Sequence, residues 1–193
     1  MSQIPLPSLS REQLIAKWAT LVDSVQHISI WTAKDELAWL AELASNCTMM
    51  AEVGSYKGKS AKVIAGACPG HLVCVDCFVD GTEPVFRSHL KHELASGKIT
   101  LHSCQSTEGA NKVASDPKRE FPCFDAIFID AGHAEADVDQ DISCWFPLLK
   151  RGGILCGHDF EKDDPNSGVA KSVRKKLPGF VLACNTIWAW RKP

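Results

Sequence analysis

The sequence predicts a doubly wound α/β fold: a Rossmann-like, mostly parallel seven-stranded sheet with helices on both faces and a C-terminal antiparallel hairpin. Three observations predict it. From residue 48 onward, short and nearly continuous apolar runs alternate with helical patterns, as expected of parallel strands covered on both faces by crossover helices. The last two apolar runs, 180–184 and 186–190, are joined by only a turn, which permits a hairpin but not a parallel crossover. Finally, 193 residues with 45% hydrophobic and 23% charged side chains suit one ordinary globular unit with a sizeable core.

The elements follow in chain order. Ser10 with Gln13 three residues on reads as a capping box, opening a helix whose apolar stripe is Leu14, Ile15, Trp18, Leu21, Val22 and Val25. A second helix is expected after Thr32, with Leu37, Leu40, Ala41 and Ala44 inward and Asn46 near its end. Strands are expected at 48–53, 71–78, 99–104, 124–130 and 152–160, with helices near 58–67, 83–96, 107–115 and 134–150 between them. In the last of these, Val138, Ile142, Trp145, Phe146 and Leu149 make one face.

Charge and cysteine usage remove several functions. With 21 Lys plus Arg against 23 Asp plus Glu, the net charge is -2, so no global basic field holds nucleic acid. The opening MSQIPLPSLSREQ lacks an export pattern, and no apolar stretch approaches the roughly 20 residues needed to span a bilayer. The expectation is a cytoplasmic protein with a small-molecule partner, no nucleic acid and no membrane, and with a homodimer left open. Nine cysteines in such a chain argue against a disulfide framework. Cys74 and Cys77 lie three apart on a strand, and so point to opposite faces rather than to one metal.

In such a sheet, ligands bind beyond the carboxyl ends of the strands. The first strand runs into AEVGSYKGKS, residues 51–60. A phosphate-binding P-loop needs four residues between its first glycine and GK[ST], and three stand here. A dinucleotide fingerprint needs a second glycine where Tyr56 stands. S-adenosylmethionine carries no phosphate and bears a cationic sulfonium, so Tyr56 is tolerable and Glu52 supplies negative charge toward the methionine end. Gly54, Ser55, Gly58 and Ser60 complete that loop and helix start. Asp76, 22 residues after Gly54, is placed to accept from both ribose hydroxyls.

The order Glu52-x-Gly54 with Gly58, then Asp76, then FDAIFIDAGH, then LLKRGGILCGHDF resembles the class I S-adenosylmethionine-dependent methyltransferases. Within them it is most similar to the small cation-dependent O-methyltransferase and natural-product-tailoring branch. The resemblance covers roughly residues 48–190. It implies a helical cap over 1–47, a methyltransferase domain over 48–193, and transfer of a methyl group to a hydroxyl of a small molecule. It also implies contacts to adenine from Ser103, Cys104, Gln105 and Ser106.

Asp130 with His133, and His158 with Asp159, end neighbouring strands, which lie about 4.8 Å apart in a parallel sheet. Two such carboxylates favour a cation between them, and the expected ligands are Asp130, Asp159 and His158. Magnesium suits carboxylate oxygens. Phe160, however, stands where catechol-type members carry an amide or acid, so His158 or His133 would complete the site and favour a softer divalent ion; the structural alternative is that Asp130 caps the following helix and His158 satisfies backbone groups in a turn. A metal-free alternative takes His133 or His158 as general base beside Asp130. A nicotinamide-dependent oxidoreductase and a non-catalytic S-adenosylmethionine-binding module are the other functions compatible with the fold. Trp18, Trp31 and Trp39 read as packing residues or acceptor platforms, the basic run Lys171, Arg174, Lys175 and Lys176 as a solvated helix face or an anionic-substrate contact, and the stretch 161–168 as a surface loop or a lid.

Overall fold

Residues 3–118 and 120–193 are described by the computed structural model. Ser10 Oγ accepts from the Gln13 N–H while the Gln13 side chain accepts from the Ser10 N–H, and this capping box starts α1 (Arg11–Ser24). The second helix, α2 (Lys34–Ser45), buries Leu37, Leu40, Ala41 and Ala44 as its spacing predicts, and Asn46 caps its end.

The sheet then follows. Its strands are β1 (Met49–Val53), β2 (His71–Asp76), β3 (Ile99–Ser103), β4 (Phe124–Ile129), β5 (Leu149–Gly157), β6 (Val181–Cys184) and β7 (Ile187–Arg191), in the order β3-β2-β1-β4-β5-β7-β6. β1 to β5 pair in parallel and the β6–β7 hairpin runs antiparallel to β5. The connecting helices are α3 (Lys59–Ala67), α4 (Glu83–His89), α5 (Lys91–Ala95), α6 (Ser106–Ala114), α7 (Glu135–Trp145) and α8 (Gly168–Lys176).

Strand pleating sorts the apolar residues into two layers. Met50, Leu72, Cys74, Ala126, Phe128 and Ile154 pack with α1, α2, α3 and α4. Ala51, Val53, Val73, Val75, Ile127 and Leu155 face α6, α7 and α8. α1 and α2 thus share one core with the first face of the sheet. Among the described residues no helix is long and apolar enough to cross a membrane. β2 stops at Asp76 rather than running to 78, so Cys77 lies beyond the strand, exposed, while Cys74 is buried within it.

Three of the boundaries that differ from expectation have clear local reasons. The helix expected at 83–96 breaks at Leu90, whose φ of -112° leaves the helical range. The helix expected at 134–150 ends at Trp145, where Pro147 tightens the chain into a 3-10 turn at Phe146–Leu148. β5 starts at Leu149 and stops at Gly157 rather than spanning 152–160. A register irregularity against β4 absorbs residues 150–153, and Asp159 at φ 59° turns the chain out of the sheet.

β1 lies between β2 and β4, so the connections leaving β1 and β4 go to opposite faces and open a crevice above their ends. The other end of the sheet is stapled shut. There the buried Asp125 carboxylate accepts from the Thr48 N–H and Oγ1, the Met49 N–H and Lys150 Nζ.

Candidate active site

The crevice is a cleft of about 660 Å³, within the range of roughly 300–1,000 Å³ usual for small-molecule sites. Its floor is drawn together by backbone: the Gly54 N–H donates to the Val75 carbonyl at 2.8 Å and the Asp130 N–H to the Val53 carbonyl at 2.7 Å. A Cβ on Gly54, whose φ is 90°, would stand 2.1 Å from the Asp130 carbonyl oxygen. Only glycine permits the β1 and β4 loops to approach so closely.

Asp76 ends β2 on the cleft wall. Its Oδ2 accepts from the Tyr56 N–H at 2.7 Å and its Oδ1 from the Phe78 N–H at 2.6 Å. Both donors sit in left-handed backbone, Tyr56 at φ 45° and Phe78 at φ 48°. The carboxylate is thereby fixed in orientation, and each oxygen keeps a lone pair for a hydroxyl in the cleft. Ser55, Tyr56, Ser60, Cys104, Gln105 and Ser106 also line the cleft.

Three expected cofactor residues lie elsewhere. Glu52 is fully buried and does not line the cleft. Alternation along β1 puts it on the Met50 face, beneath the loop, beside the Ser55 and Ser60 hydroxyls and 3.8 Å from Cys74 Sγ. Burial there pushes its carboxyl up to about 7. Gly58 caps α3 at φ 84°, and a Cβ on it would meet Leu90 and Phe86, so its role is to seat α4 against α3. Ser103 is outside the cleft lining, with its hydroxyl toward Glu83.

At the other end of the cleft a chain of alternating acids and imidazoles joins α2 to the segments that follow β4 and β5. Glu36 of α2 places Oε2 3.0 Å from His158 Nε2. His158 Nδ1 lies 3.1 Å from Asp159 Oδ1 and 3.8 Å from Asp130 Oδ1. Asp159 Oδ2 in turn lies 2.9 Å from His133 Nε2. Burial pulls the His158 ring down, but Asp159, Glu36 and Asp130 outweigh it and hold it at about 10. Burial raises Asp130 to about 6. Asp159 is opposed by burial yet held well below the usual carboxylate range by the two imidazoles. The hydrogen bond to Asp159 raises His133.

Asp130, His133 and Asp159 each offer one ligand atom, all within 4.8 Å of one another. The donor set that geometry brings together therefore contains His133 where His158 was expected. Both ring nitrogens of His158 already face carboxylates, and the side chain is 8% exposed. Phe160 supplies no ligand: it is buried against Phe180 with Arg174 over its ring.

Of the three tryptophans only Trp31 lines the cleft, where it is 90% exposed. Trp39 is core, and Trp18 Nε1 donates to Glu42. Lys175 pairs with Asp139, Lys176 donates to Ser143, and neither these nor residues 161–168 line the cleft. Glu36 was missed by sequence reasoning. The available signal was a carboxylate four residues before Leu40, on the buried stripe of α2. Asp137, Gln140 and Asp141 of α7, Thr82 before α4, and Asp80 are further lining residues the sequence did not single out.

Residues 51–160, more than half of the chain, match the family model described as a methyltransferase domain. No curated protein matches the chain. Among solved structures, the chain is similar to the O-methyltransferase TomG of Streptomyces achromogenes, in complex with SAM (S-adenosylmethionine). The identity is 16% and the TM-score 0.66, over 94% of this chain and 90% of that one. The O-methyltransferase from Bacillus cereus in complex with SAH (S-adenosylhomocysteine) is 13% identical with a TM-score of 0.66, over 98% and 94%. The SAH-bound Podospora anserina methyltransferase PaMTH1 is 12% identical with a TM-score of 0.66, over 100% and 99%. With its sheet order, its Asp76-anchored cleft and this match, the chain belongs to the methyltransferase domain family as a class I S-adenosylmethionine-dependent enzyme.

Proposed function

We propose that the protein moves the methyl group of S-adenosylmethionine to a hydroxyl of a small molecule, assisted by a divalent ion at Asp130, His133 and Asp159. The observation that supports this most is the meeting of those three side chains in the same cleft as Asp76 and the Gly54–Tyr56 loop. Asp76 would take the ribose hydroxyls, the Gly54–Tyr56 loop would face the methionine end, and Gln105 and Ser106 the base.

Two carboxylates and one imidazole form a mixed oxygen and nitrogen donor set, which suits manganese, iron or zinc better than an all-oxygen magnesium site. A bound ion would supply charge that lowers the pKa of the acceptor hydroxyl and orients its oxygen. The chain's own contribution is positional. His158, clamped between Glu36 and Asp159, fixes Asp159 Oδ1 and leaves Oδ2 turned toward His133. Holding the two reactants in line makes a bimolecular displacement nearly unimolecular. As the oxygen bonds to the methyl carbon and the sulfonium becomes a thioether, the hydroxyl proton leaves to a base.

The His133–Asp159 contact of 2.9 Å favours a second, metal-free reading in which His133 takes that proton and Asp159 stabilises the imidazolium. The deciding experiment measures methyl transfer to a panel of hydroxyl acceptors before and after chelation, alongside calorimetric titration with S-adenosylmethionine. Activity lost on chelation and restored by manganese or zinc supports the first reading. Activity indifferent to chelation and abolished in His133→Ala supports the second. Cofactor binding with no transfer to any hydroxyl overturns both.

A further inference from the structure

Of the nine cysteines, Cys77 is the exposed one, and it follows β2 directly after Asp76. Its counterpart is Cys104, which directly follows β3. The two strands run parallel with Asp76 opposite Ser103, and the Cys104 N–H extends the ladder by donating to the Asp76 carbonyl at 2.9 Å. Cys77 and Cys104 therefore leave adjacent strand ends, whose backbones stand about 4.8 Å apart, inside the roughly 4.4–6.8 Å Cα separation that a disulfide spans. Both line the cleft, beside Gln105 and Ser106. Lys112 of α6, paired with Glu108 at 2.7 Å, also reaches Cys104. Burial pushes the Cys104 thiol up, the Lys112 ammonium opposes that, and charge on Cys77 adds to the rise, so the two sulfurs sense each other. Elsewhere, Cys47, Cys68, Cys74 and Cys156 are core, and burial pushes Cys144 up to about 11 and Cys184 up to about 12.

From this pairing we infer that Cys77 and Cys104 are a modification site, joined in a reversible disulfide by a peroxide, and that the bridge and the nucleoside exclude each other. The first half stands on the strand register; the second rests also on the proposed cofactor reading. The thiolate is the nucleophile. Cys77, open to solvent, attacks one peroxide oxygen: the S–O bond forms, the O–O bond breaks, and the departing hydroxide takes a proton to become water. The Cys104 thiolate, favoured by Lys112, then attacks the Cys77 sulfenic acid. The S–S bond forms, the S–O bond breaks, and a second water leaves. In sum two thiols lose two electrons and two protons, and hydrogen peroxide is reduced to two waters. The bridge closes the cleft wall in front of Gln105 and pulls on Phe78, whose N–H orients Asp76 Oδ1. A nucleoside already in place covers both thiols, so each event opposes the other.

The test treats the intact protein with hydrogen peroxide, with and without S-adenosylhomocysteine, alkylates the remaining thiols and maps the peptides by mass spectrometry without reductant. A Cys77–Cys104 linked pair is expected, cleaved by dithiothreitol and absent in Cys77→Ser and in Cys104→Ser. S-adenosylhomocysteine at a hundred times its Kd should slow its formation at least about tenfold, since only the empty fraction reacts. Calorimetric titration of the oxidised protein should show at least about a tenfold weaker affinity for S-adenosylhomocysteine, restored by dithiothreitol, whereas Cys77→Ser should bind equally before and after peroxide. Cys77 found as an unlinked sulfenic or sulfinic acid, or a linked pair that leaves S-adenosylhomocysteine affinity unchanged, overturns the inference and leaves the methyl-transfer reading intact. Reduced, untreated protein that binds no S-adenosylhomocysteine overturns the nucleoside reading and this inference with it.

Discussion

Replacing Asp76 by asparagine tests the nucleoside grip more sharply than replacing it by alanine. The two carboxylate oxygens receive different backbone donors, Tyr56 N–H on Oδ2 and Phe78 N–H on Oδ1. An amide of the same shape offers one oxygen and one NH₂, so whichever way it turns, one backbone N–H faces another donor. In Asp76→Ala, loss of two hydrogen bonds from ribose hydroxyls to a charged group costs about 3 to 5 kcal/mol, a fall in affinity of roughly a hundredfold to several thousandfold. Asp76→Asn keeps one acceptor but leaves a donor unsatisfied, at about 1 to 3 kcal/mol, and should lie within about tenfold of the alanine variant. Calorimetric titration with S-adenosylhomocysteine reads the affinity, and a thermal melt without ligand verifies that each variant is folded. An asparagine variant that binds within about threefold of the parent would refute this account of the carboxylate.

Glu52→Gln should stabilise the protein, and by more at high pH. The fold raises this carboxyl from 4.5 to about 7 through burial, so its ionised form opposes folding. The opposition grows as pH rises from the ordinary glutamate range and levels off above 7. In urea titrations the gain over the parent should rise from near zero at pH 4.5 to about 3 kcal/mol at pH 8, and a gap independent of pH would count against it. Gly54→Ala forces a side chain against the Asp130 carbonyl and should cost at least about 2 kcal/mol together with cofactor binding, seen by melting and titration. A fully stable Gly54→Ala chain would contradict the close approach of the two loops. Glu36→Ala strands the buried His158 and the Thr186 N–H and Oγ1 that Glu36 accepts from. Loss of about 3 to 5 kcal/mol is expected, and a loss below about 1 kcal/mol would show the pair to be solvated.

Much of this molecule was legible because pleat and helix periodicity report burial directly. The order of apolar runs located all seven strands, since a doubly covered strand leaves little room for polar residues, and the short 184–187 link foretold the antiparallel hairpin. The site was legible where a residue sits at a strand end, as Asp76, Asp130 and Asp159 do. It was not legible where side-chain direction decides. Glu52 is one residue from the loop, yet the pleat turns it under the sheet. His133 rather than His158 meets Asp130 and Asp159 because Glu36, 122 residues from His158 in the chain, faces the Nε2 of His158. No local pattern encodes a partner so distant.

The Glu36 carboxylate has a consequence for how the protein is made. Its Oε1 is satisfied by Thr186, 150 residues further along the chain, and its Oε2 by His158 and by the Ala33 N–H at the start of α2. A ribosome delivers the first helices, Ala33 included, long before either distant partner. The buried charge on α2 therefore waits in water until the final hairpin emerges, and the reactive edge of the sheet takes shape only as the last strand docks. Nascent chains arrested before residue 186 should bind no nucleoside, however well their earlier helices have formed.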